Sequence, residues 1–423
     1  MTISGRAKGL RGQASPDGGG APEITEADIM PGPLSGFRIV DVTQMISGPM
    51  ATMILADQGA DVIKVEPPGS GDLTRAMAGR RHTMSPTFAV ANRNKRSVVI
   101  DLKQPPGVEL MKRLVTRADL FVQNFRPGTA DRMGIGEAAL REVKPDLVYV
   151  SISGFGEAGP YVHKRTYDPV IQALSGLASI QADPESGRPR MLRVIVPDKV
   201  TALTAAQAMT AALLARERTG TGQHVRLAML DAVVAFIWPE SMAAYTFPGP
   251  ERAITRPPNT RDLVFQTADG YITCGAVSDS EWEGLCRALE RPQWLQDDRF
   301  KTPAGRVRYA DARLELTAEV LSTRSSEDWL ARLDANQVPC APILTRDQLL
   351  SDPQVAANHM IVEAAHPSVG PMRQPRPAAR FDGTPAELRT FAPTLGQHTA
   401  EVLHEAGFGE NEIIALRKAG VIG

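Results

Sequence analysis

Two short apolar runs near the start of the chain set the strongest limit on its fold. Phe37–Val42 (Phe-Arg-Ile-Val-Asp-Val) and Asp61–Glu66 (Asp-Val-Ile-Lys-Val-Glu) are rich in β-branched residues and read as buried strands. Between them lie Gly48-Pro49, a helical stretch from Met50 to about Gln58, and Gly59 as its stop. Strand, helix and strand at this spacing make a βαβ unit, and such units build parallel sheets. The pattern continues with strands at Ser97–Asp101, Leu120–Val122 and Leu147–Ser151, and a helix over Pro106–Thr116. The predicted class is α/β, with a large doubly wound domain of Rossmann-like outline. Its first βα loop, Thr43–Pro49, lacks Gly-x-Gly-x-x-Gly, which argues against an NAD or FAD enzyme.

A chain of 423 residues is too long for one ordinary domain. Met1–Pro33 carries Gly18-Gly19-Gly20 and scattered Pro and Ser, and reads as a disordered tail (residues 1–33) without the apolar run of a signal peptide. Residues 34–223 form the first part of the large domain, which ends on the alanine-rich helix Lys199–Arg218. A strand at Gln223–Ala228, a helix to Ala244 and a Pro-rich stretch make a linker over 224–260. Residues 261–338 read as a smaller α+β domain. It has a hairpin about Asp269-Gly270 and helices at Ser280–Leu289, Tyr309–Leu321 and Ser326–Ala335. Residues 339–423 return to the large domain through short helices and Pro-rich loops, including Met372–Pro377.

Charge and cysteine usage exclude several functions. A net charge of −1 and a pI near 6.7 argue against partners such as nucleic acid or an acidic membrane. Cys274, Cys286 and Cys340 are odd in number and far apart, which suggests a reducing compartment without a disulfide framework. No Cys-x-x-Cys or His/Cys cluster reads as a metal site. No apolar run is long enough for a transmembrane helix, and a cytoplasmic setting is expected.

The stretch Thr166–Gly176 reads as a helix start, with Asp168 at the N-cap and Pro169 at the first helical position. Asp168 has two readings. One is a capping residue and nothing more. The other is a carboxylate kept ionised by helix N–H groups and free to act as a nucleophile. The segment alone leaves both open.

Several motifs taken in order resolve the choice. They include Ser47-Gly-Pro49, Gly59–Glu66 with Gly71-Asp72 and Arg75, Asn94–Ser97, Asp101-Leu-Lys103 and Asn124-Phe-Arg-Pro-Gly128. They continue through Asp131–Gly134, Ser153-Gly-Phe-Gly156, Tyr167-Asp168, Arg216–Gln223, Val338–Pro342 and Leu395–Thr399. In this order the chain, from about Pro33 to its end, resembles the class III CoA-transferases. The resemblance implies an interlocked homodimer, an acyl-CoA substrate and an aspartate nucleophile at Asp168. It implies transfer of CoA from an acyl-CoA thioester to a free carboxylic acid through a mixed anhydride and an aspartyl-CoA thioester. No permanent cofactor or metal is implied, since thioester energy is conserved and coenzyme A is itself substrate and product. It places Ile100, Lys103, Asn124, Phe125, Arg126 and Arg132 at or beside CoA contacts. Arg75, Lys103, Arg126 and Arg132 are the candidate phosphate contacts. Ser153, Gly154 and Phe155 are expected to support an oxyanion through backbone N–H groups.

Two other readings stay open on sequence. One is an α-methylacyl-CoA racemase or lyase. Those relatives typically have His directly before the aspartate, where this chain has Tyr167; His163 is the nearest histidine. The other is a non-catalytic acyl-CoA-binding protein, which an intact Asp168 disfavours. Formyl-CoA transferases carry a glycine-rich loop that has no counterpart near Phe247–Thr260, and a Gln where this chain has Ile46. Gln44 and Ser47 are the nearest polar residues there.

Overall fold

The computed structural model describes residues 32–183, 185–249 and 262–423. The expected N-terminal tail (except Gly32 and Pro33) and residues 250–260 of the expected Pro-rich linker lie outside them. The architecture is α/β around a parallel sheet of six strands. These are β1 (Arg38–Asp41), β2 (Asp61–Glu66), β3 (Lys95–Val99), β4 (Leu120–Gln123), β5 (Val148–Ser153) and β6 (His224–Ala228). Their order in space is β3-β2-β1-β4-β5-β6, and every neighbouring pair is parallel. β3 begins two residues before its expected start, because the stem of Lys95 is itself packed inside.

Central strands of a parallel sheet are covered on both faces, so their residues are apolar throughout. On one face Val40, Ile63, Val98, Phe121 and Tyr149 pack against Leu110, Met111 and Leu114 of the Pro105–Val115 helix. On the other, Ile39, Val62, Val122 and Val150 meet Ala51 and Leu55 of the Ser47–Asp57 helix. Ala202, Ala205 and Met209 of the long Val196–Thr219 helix join them. Alanines on that helix let it lie close to both the sheet and the Ser47–Asp57 helix.

The outer edge of β3 is closed by residues from the far end of the chain. His398 exchanges bonds with Ser97, and the Thr399 hydroxyl accepts from the Val99 N–H at 3.2 Å. Ile422 bridges to Ile100, and Val421 and Ile422 join the core. An edge strand is thus covered rather than left as a template for pairing.

A second apolar cluster gathers Trp282, Leu285, Trp294, Phe300, Leu321, Trp329 and Leu333 around a sheet of three short strands. These are β7 (Phe265–Gln266), β8 (Tyr271–Cys274) and β9 (Cys340–Pro342), all antiparallel. The β7–β8 turn falls at Asp269-Gly270. β9 puts residues beyond Val338 in this smaller sheet. It also sets Cys340 directly across from Cys274, so two thiols remote in sequence are neighbours in space. The hairpin of β10 (Ile361–His366) and β11 (Gly370–Pro375) was not expected. Its second strand lies in what reads as a Pro-rich loop.

Candidate active site

The strand order reverses between β1 and β4, whose carboxyl ends therefore diverge into helices on opposite faces. In an open α/β sheet the crevice at that point is where ligands bind. Here it opens a cavity of about 400 Å³, lined among others by Gln44, Met45 and Ser47 after β1 and Asn124–Pro127 after β4. Ser153, Gly154 and Phe155 after β5 complete that wall. Lys164, Arg165, Tyr167 and Asp198 line the remainder.

The loop after β1 is fixed from below by buried charge. Asp41 accepts from the Thr43 N–H and hydroxyl (2.8 and 2.5 Å), the Thr52 hydroxyl (2.6 Å) and Lys95 Nζ (3.1 Å). Lys64 Nζ donates to the Thr43 carbonyl at 2.9 Å and pairs with Asp72 at 2.9 Å. All four charged side chains are buried. Each has a partner, which is what makes burial of charge tolerable. This scaffold holds Met45 at φ +70°, a region a non-glycine residue enters only at a cost of about 1–3 kcal/mol.

Asp168 is the first residue of its helix, Asp168–Leu174, and Tyr167 occupies the N-cap. The expected capping role is therefore corrected: its carboxylate does not bond its own helix N–H groups. Instead Oδ1 accepts from Gln172 Nε2 at 2.6 Å and Oδ2 from the backbone N–H of Asp198 at 3.3 Å. Gln172 is pinned in turn by the Leu192 N–H at 2.9 Å. Asp198 is the third residue of the 24-residue Val196–Thr219 helix, so the carboxylate caps a second, longer helix. The Ser47–Asp57 helix also begins at this cavity, and three positive helix ends favour a negative charge there. Asp168 is 3% exposed; Tyr167, which precedes it, and Asp198, whose N–H holds it, line the cavity. Burial of a hydrogen-bonded carboxylate strips water from a nucleophile without leaving it unpaired.

The expected CoA contacts divide into two groups. Asn124, Phe125 and Arg126 stand together on the cavity wall. A second cavity of about 430 Å³ shares Phe125, Arg126 and Pro127 with the first and continues to Thr129, Arg132 and His163. Arg126 and Arg132 are exposed. Arg75 does not belong here, which corrects its expected place. Its guanidinium is buried, forks onto Glu66 at 2.7 Å through both Nε and Nη2, and donates to the Pro393 carbonyl. It also stacks on Phe88 at 3.6 Å, so no face is left for a phosphate. The Ile100 side chain is likewise in the core, at 1% exposure. Lys103 is exposed beyond β3 and lines neither cavity.

Asp198, which lines the cavity and holds Asp168 through its N–H, is the candidate site residue that sequence reasoning missed. The helix was expected from Lys199, although Val196-Pro-Asp198 carries the signal of a helix opening, Pro in the first turn followed by an acid. Burial, then the charge of Asp168, raises the Asp198 carboxyl above the usual range, against its hydrogen bond from Ser47. Gly154 has a steric reason to be glycine: a Cβ there would sit 2.3 Å from Thr166 Cγ2. The β5 loop and the segment leading to Asp168 touch at that point.

A buried carboxylate at converging helix ends, beside an elongated groove with arginines along it, is an arrangement for covalent chemistry on a long anionic substrate. The chain belongs to the CoA-transferase family III, whose model matches residues 34–399. It is similar to succinyl-CoA:glutarate CoA-transferase of Mus musculus, at 36% identity over 92% of this chain and 90% of that one. It is also similar to formyl-CoA:oxalate CoA-transferase of Streptomyces coelicolor, at 33% identity over 92% and 99%. Among solved structures, a CAIB/BAIF family protein from Brucella suis covers 89% of this chain and 99% of its own, with 32% identity and a TM-score of 0.74. The protein is a class III CoA-transferase, acting between acyl-CoA and a free acid. His163, the histidine nearest to Asp168 in sequence, lines the second cavity and not the one beside Asp168.

Proposed function

We propose that this chain moves CoA between carboxylic acids through covalent intermediates on Asp168. An Asp168 oxygen attacks the thioester carbonyl, and the tetrahedral adduct expels CoA thiolate to leave a mixed anhydride. The thiolate attacks the Asp168 carbonyl of that anhydride, releasing the donor acid and leaving aspartyl-CoA. The incoming carboxylate repeats the two exchanges in reverse. Every leaving group is an anion already present, so no external base is needed. The observation that carries this reading is the Asp168 carboxylate itself, desolvated yet held by Gln172 and the Asp198 N–H beside the cavity.

Asn124, Phe125, Arg126 and Arg132 are the proposed CoA contacts, since they line one continuous groove; Lys103 is a more distant phosphate contact. Ser153, Gly154 and Phe155 support the oxyanion. Arg126, Lys164 and Arg165 bring three cations to the cavity, which suits an acceptor acid with a second carboxylate. Relatives named for succinyl-CoA and glutarate point the same way. The strand order supports a Rossmann-like, doubly wound large domain. Phe236 and Trp238 on the Met229–Ser241 helix are 59% and 40% exposed, which supports a partner chain over them in an interlocked homodimer. Cysteine usage supports a cytoplasmic setting.

The deciding experiment incubates the enzyme with succinyl-CoA and then hydroxylamine or borohydride, and maps the adduct by mass spectrometry. Modification at Asp168 is the expected result. Turnover of a panel of mono- and dicarboxylic acids with no adduct at any time point overturns the covalent route.

A further inference from the structure

Gln172 stands one helical turn after Asp168 on the same helix, so the two side chains share a face. Its amide is clamped by both backbone groups of one residue. Oε1 accepts from the Leu192 N–H at 2.9 Å, and Nε2 donates to the Leu192 carbonyl at 3.3 Å. A backbone N–H can only donate, which settles the orientation of the amide. The second hydrogen on Nε2 is left for Asp168 Oδ1, at 2.6 Å. Leu192 packs against the apolar cluster of Ile171, Leu177 and Val233, and Gln172 is 2% exposed, so the donor is fixed in place.

The two oxygens of Asp168 are therefore not equivalent. Oδ1 faces a buried amide whose other bonds are both made. Oδ2 is held by the Asp198 N–H at 3.3 Å, a longer bond, and Asp198 lines the cavity whereas Gln172 does not. The less firmly held oxygen, next to a cavity-lining residue, is the one free to attack. Once acylated, Asp168 turns from nucleophile into electrophile: CoA thiolate and then the acceptor carboxylate each attack its own carboxyl carbon. The oxyanion of those steps sits on the enzyme, and it calls for a donor of its own.

We propose that Gln172 is a catalytic oxyanion donor for the two exchanges at the Asp168 carboxyl carbon, and that its hold on Oδ1 makes Oδ2 the attacking oxygen. This rests on Asp168 as nucleophile. Oδ2 attacks the thioester and becomes the bridging oxygen of the anhydride, and Oδ1 remains as the aspartyl carbonyl oxygen. CoA thiolate bonds to Cγ, and the Cγ–Oδ1 π pair moves onto Oδ1, which accepts from Gln172. The pair returns, the Cγ–Oδ2 bond breaks, and the donor acid leaves as a carboxylate that carries Oδ2. The acceptor carboxylate then bonds to Cγ, Oδ1 takes the charge again, and thiolate leaves. No proton moves in either exchange. The last step of the cycle leaves an acceptor oxygen in the place of Oδ2.

A neutral amide fits this task. In the resting carboxylate one charge is shared by two oxygens. In the anhydride and the thioester Oδ1 is uncharged. Only in the tetrahedral adducts does Oδ1 carry the whole charge, so the Gln172 bond is strongest where the barrier lies. A cation in its place would pair with the resting carboxylate and hold back its attack. The N–H groups after β5, proposed for the oxyanion on the substrate carbon, serve the other two exchanges of the cycle.

The test compares wild type with Gln172→Met, which lacks the donor, and Gln172→Glu, which lacks it but still accepts from the Leu192 N–H. Each protein is mixed with succinyl-CoA alone and quenched over time. Intact mass separates an acyl-sized adduct, the anhydride, from a CoA-sized one, the thioester. Conversion of the first into the second should slow roughly 10²-fold in Gln172→Met, so that anhydride accumulates, and Gln172→Glu should show the same imbalance. The ratio of the two adducts reads the second exchange alone, whatever a variant does to the first. If Gln172→Met does not fold, the glutamate variant decides. A wild-type ratio in a folded variant overturns the donor role. A second measurement needs no variant: over the first turnovers with an acceptor acid labelled in both oxygens, wild-type Asp168 should gain one heavy oxygen, and a gain of two overturns the fixed Oδ1. The levels separate on wild type: no adduct of either size sinks Asp168 as nucleophile, whereas normal wild-type adducts with an unchanged ratio in the variants sink only Gln172.

Discussion

The side-chain amide of Asn124 pairs with both backbone groups of Gln44: Oδ1 accepts from its N–H at 2.9 Å and Nδ2 donates to its carbonyl at 2.7 Å. The two residues lie in the loops that follow neighbouring strands at the reversal of the sheet, so one side chain fastens the two loops that flank the crevice. Asn124→Ala should cost about 1–2 kcal/mol of stability. It should also raise the acyl-CoA KM, because the Phe125–Arg126 wall loses its anchor. Urea unfolding and steady-state kinetics check both, and a variant with wild-type KM would show that the anchor is not needed for binding.

Asp168→Asn should keep the fold and CoA binding and lose transfer by several orders of magnitude, because an amide is not a useful nucleophile. Its amide nitrogen must face either Gln172 Nε2 or the Asp198 N–H, both donors, so a loss of about 1–2 kcal/mol in stability is also expected. Activity is measured after mass spectrometry has excluded deamidation. A variant as active as wild type would remove Asp168 from the mechanism.

Arg132 and Arg75 should respond differently to alanine. Arg132 is exposed in the second cavity with one internal bond, to the Thr129 hydroxyl at 2.9 Å. Its loss should weaken CoA binding by about 1.5–3 kcal/mol, leave kcat and melting temperature nearly constant, and spare dephospho-CoA if the 3′-phosphate is its contact. Arg75→Ala leaves Glu66 buried without its fork and should destabilise the fold by about 3–5 kcal/mol. Thermal melts and CoA titrations on the pair of variants decide between the roles.

Acid stability should report Asp41. Burial alone would raise its carboxyl, but Lys95, Lys64 and the hydroxyls of Thr43 and Thr52 outweigh that and hold it at about 2, from 3.8. A depressed carboxyl adds stability that is present above the unfolded value and lost as pH falls from 3.8 through about 2. The displacement is worth about 2 kcal/mol. Asp41→Asn should lack that part of the pH dependence and be less stable at neutral pH, since Lys95 and Lys64 lose a counter-charge. Denaturant midpoints from pH 5 to 2 for both proteins provide the comparison.

An interlocked dimer should not trade subunits. Differently tagged dimers mixed at micromolar concentration should form no heterodimer over days, but should do so after denaturation and refolding. Rapid exchange, or a monomer at nanomolar concentration, would contradict interlocking.

The main sheet was legible because β-branched runs such as Val62-Ile-Lys-Val65 state both strand and burial. Asp168 was legible as a helix start, and its family match carried the rest. What it bonds was not legible, since Gln172 and Asp198 reach it through tertiary packing. Arg75 shows the converse. An arginine one loop past a strand reads the same whether it points at solvent or at Glu66, and only the fold decides. The β10–β11 hairpin was hidden because its second strand starts at Gly370 and ends at Pro375, a composition that favours a loop.

The covering of β3 by the end of the chain has a consequence for synthesis. Val99 waits for Thr399, 300 residues later. At roughly 5–20 residues per second, a ribosome takes about 15–60 seconds to deliver that cover. Throughout that interval the nascent sheet presents an open edge and an unfilled apolar face, both of which attract other chains. Nascent polypeptides emerging side by side on one message would meet at this stage.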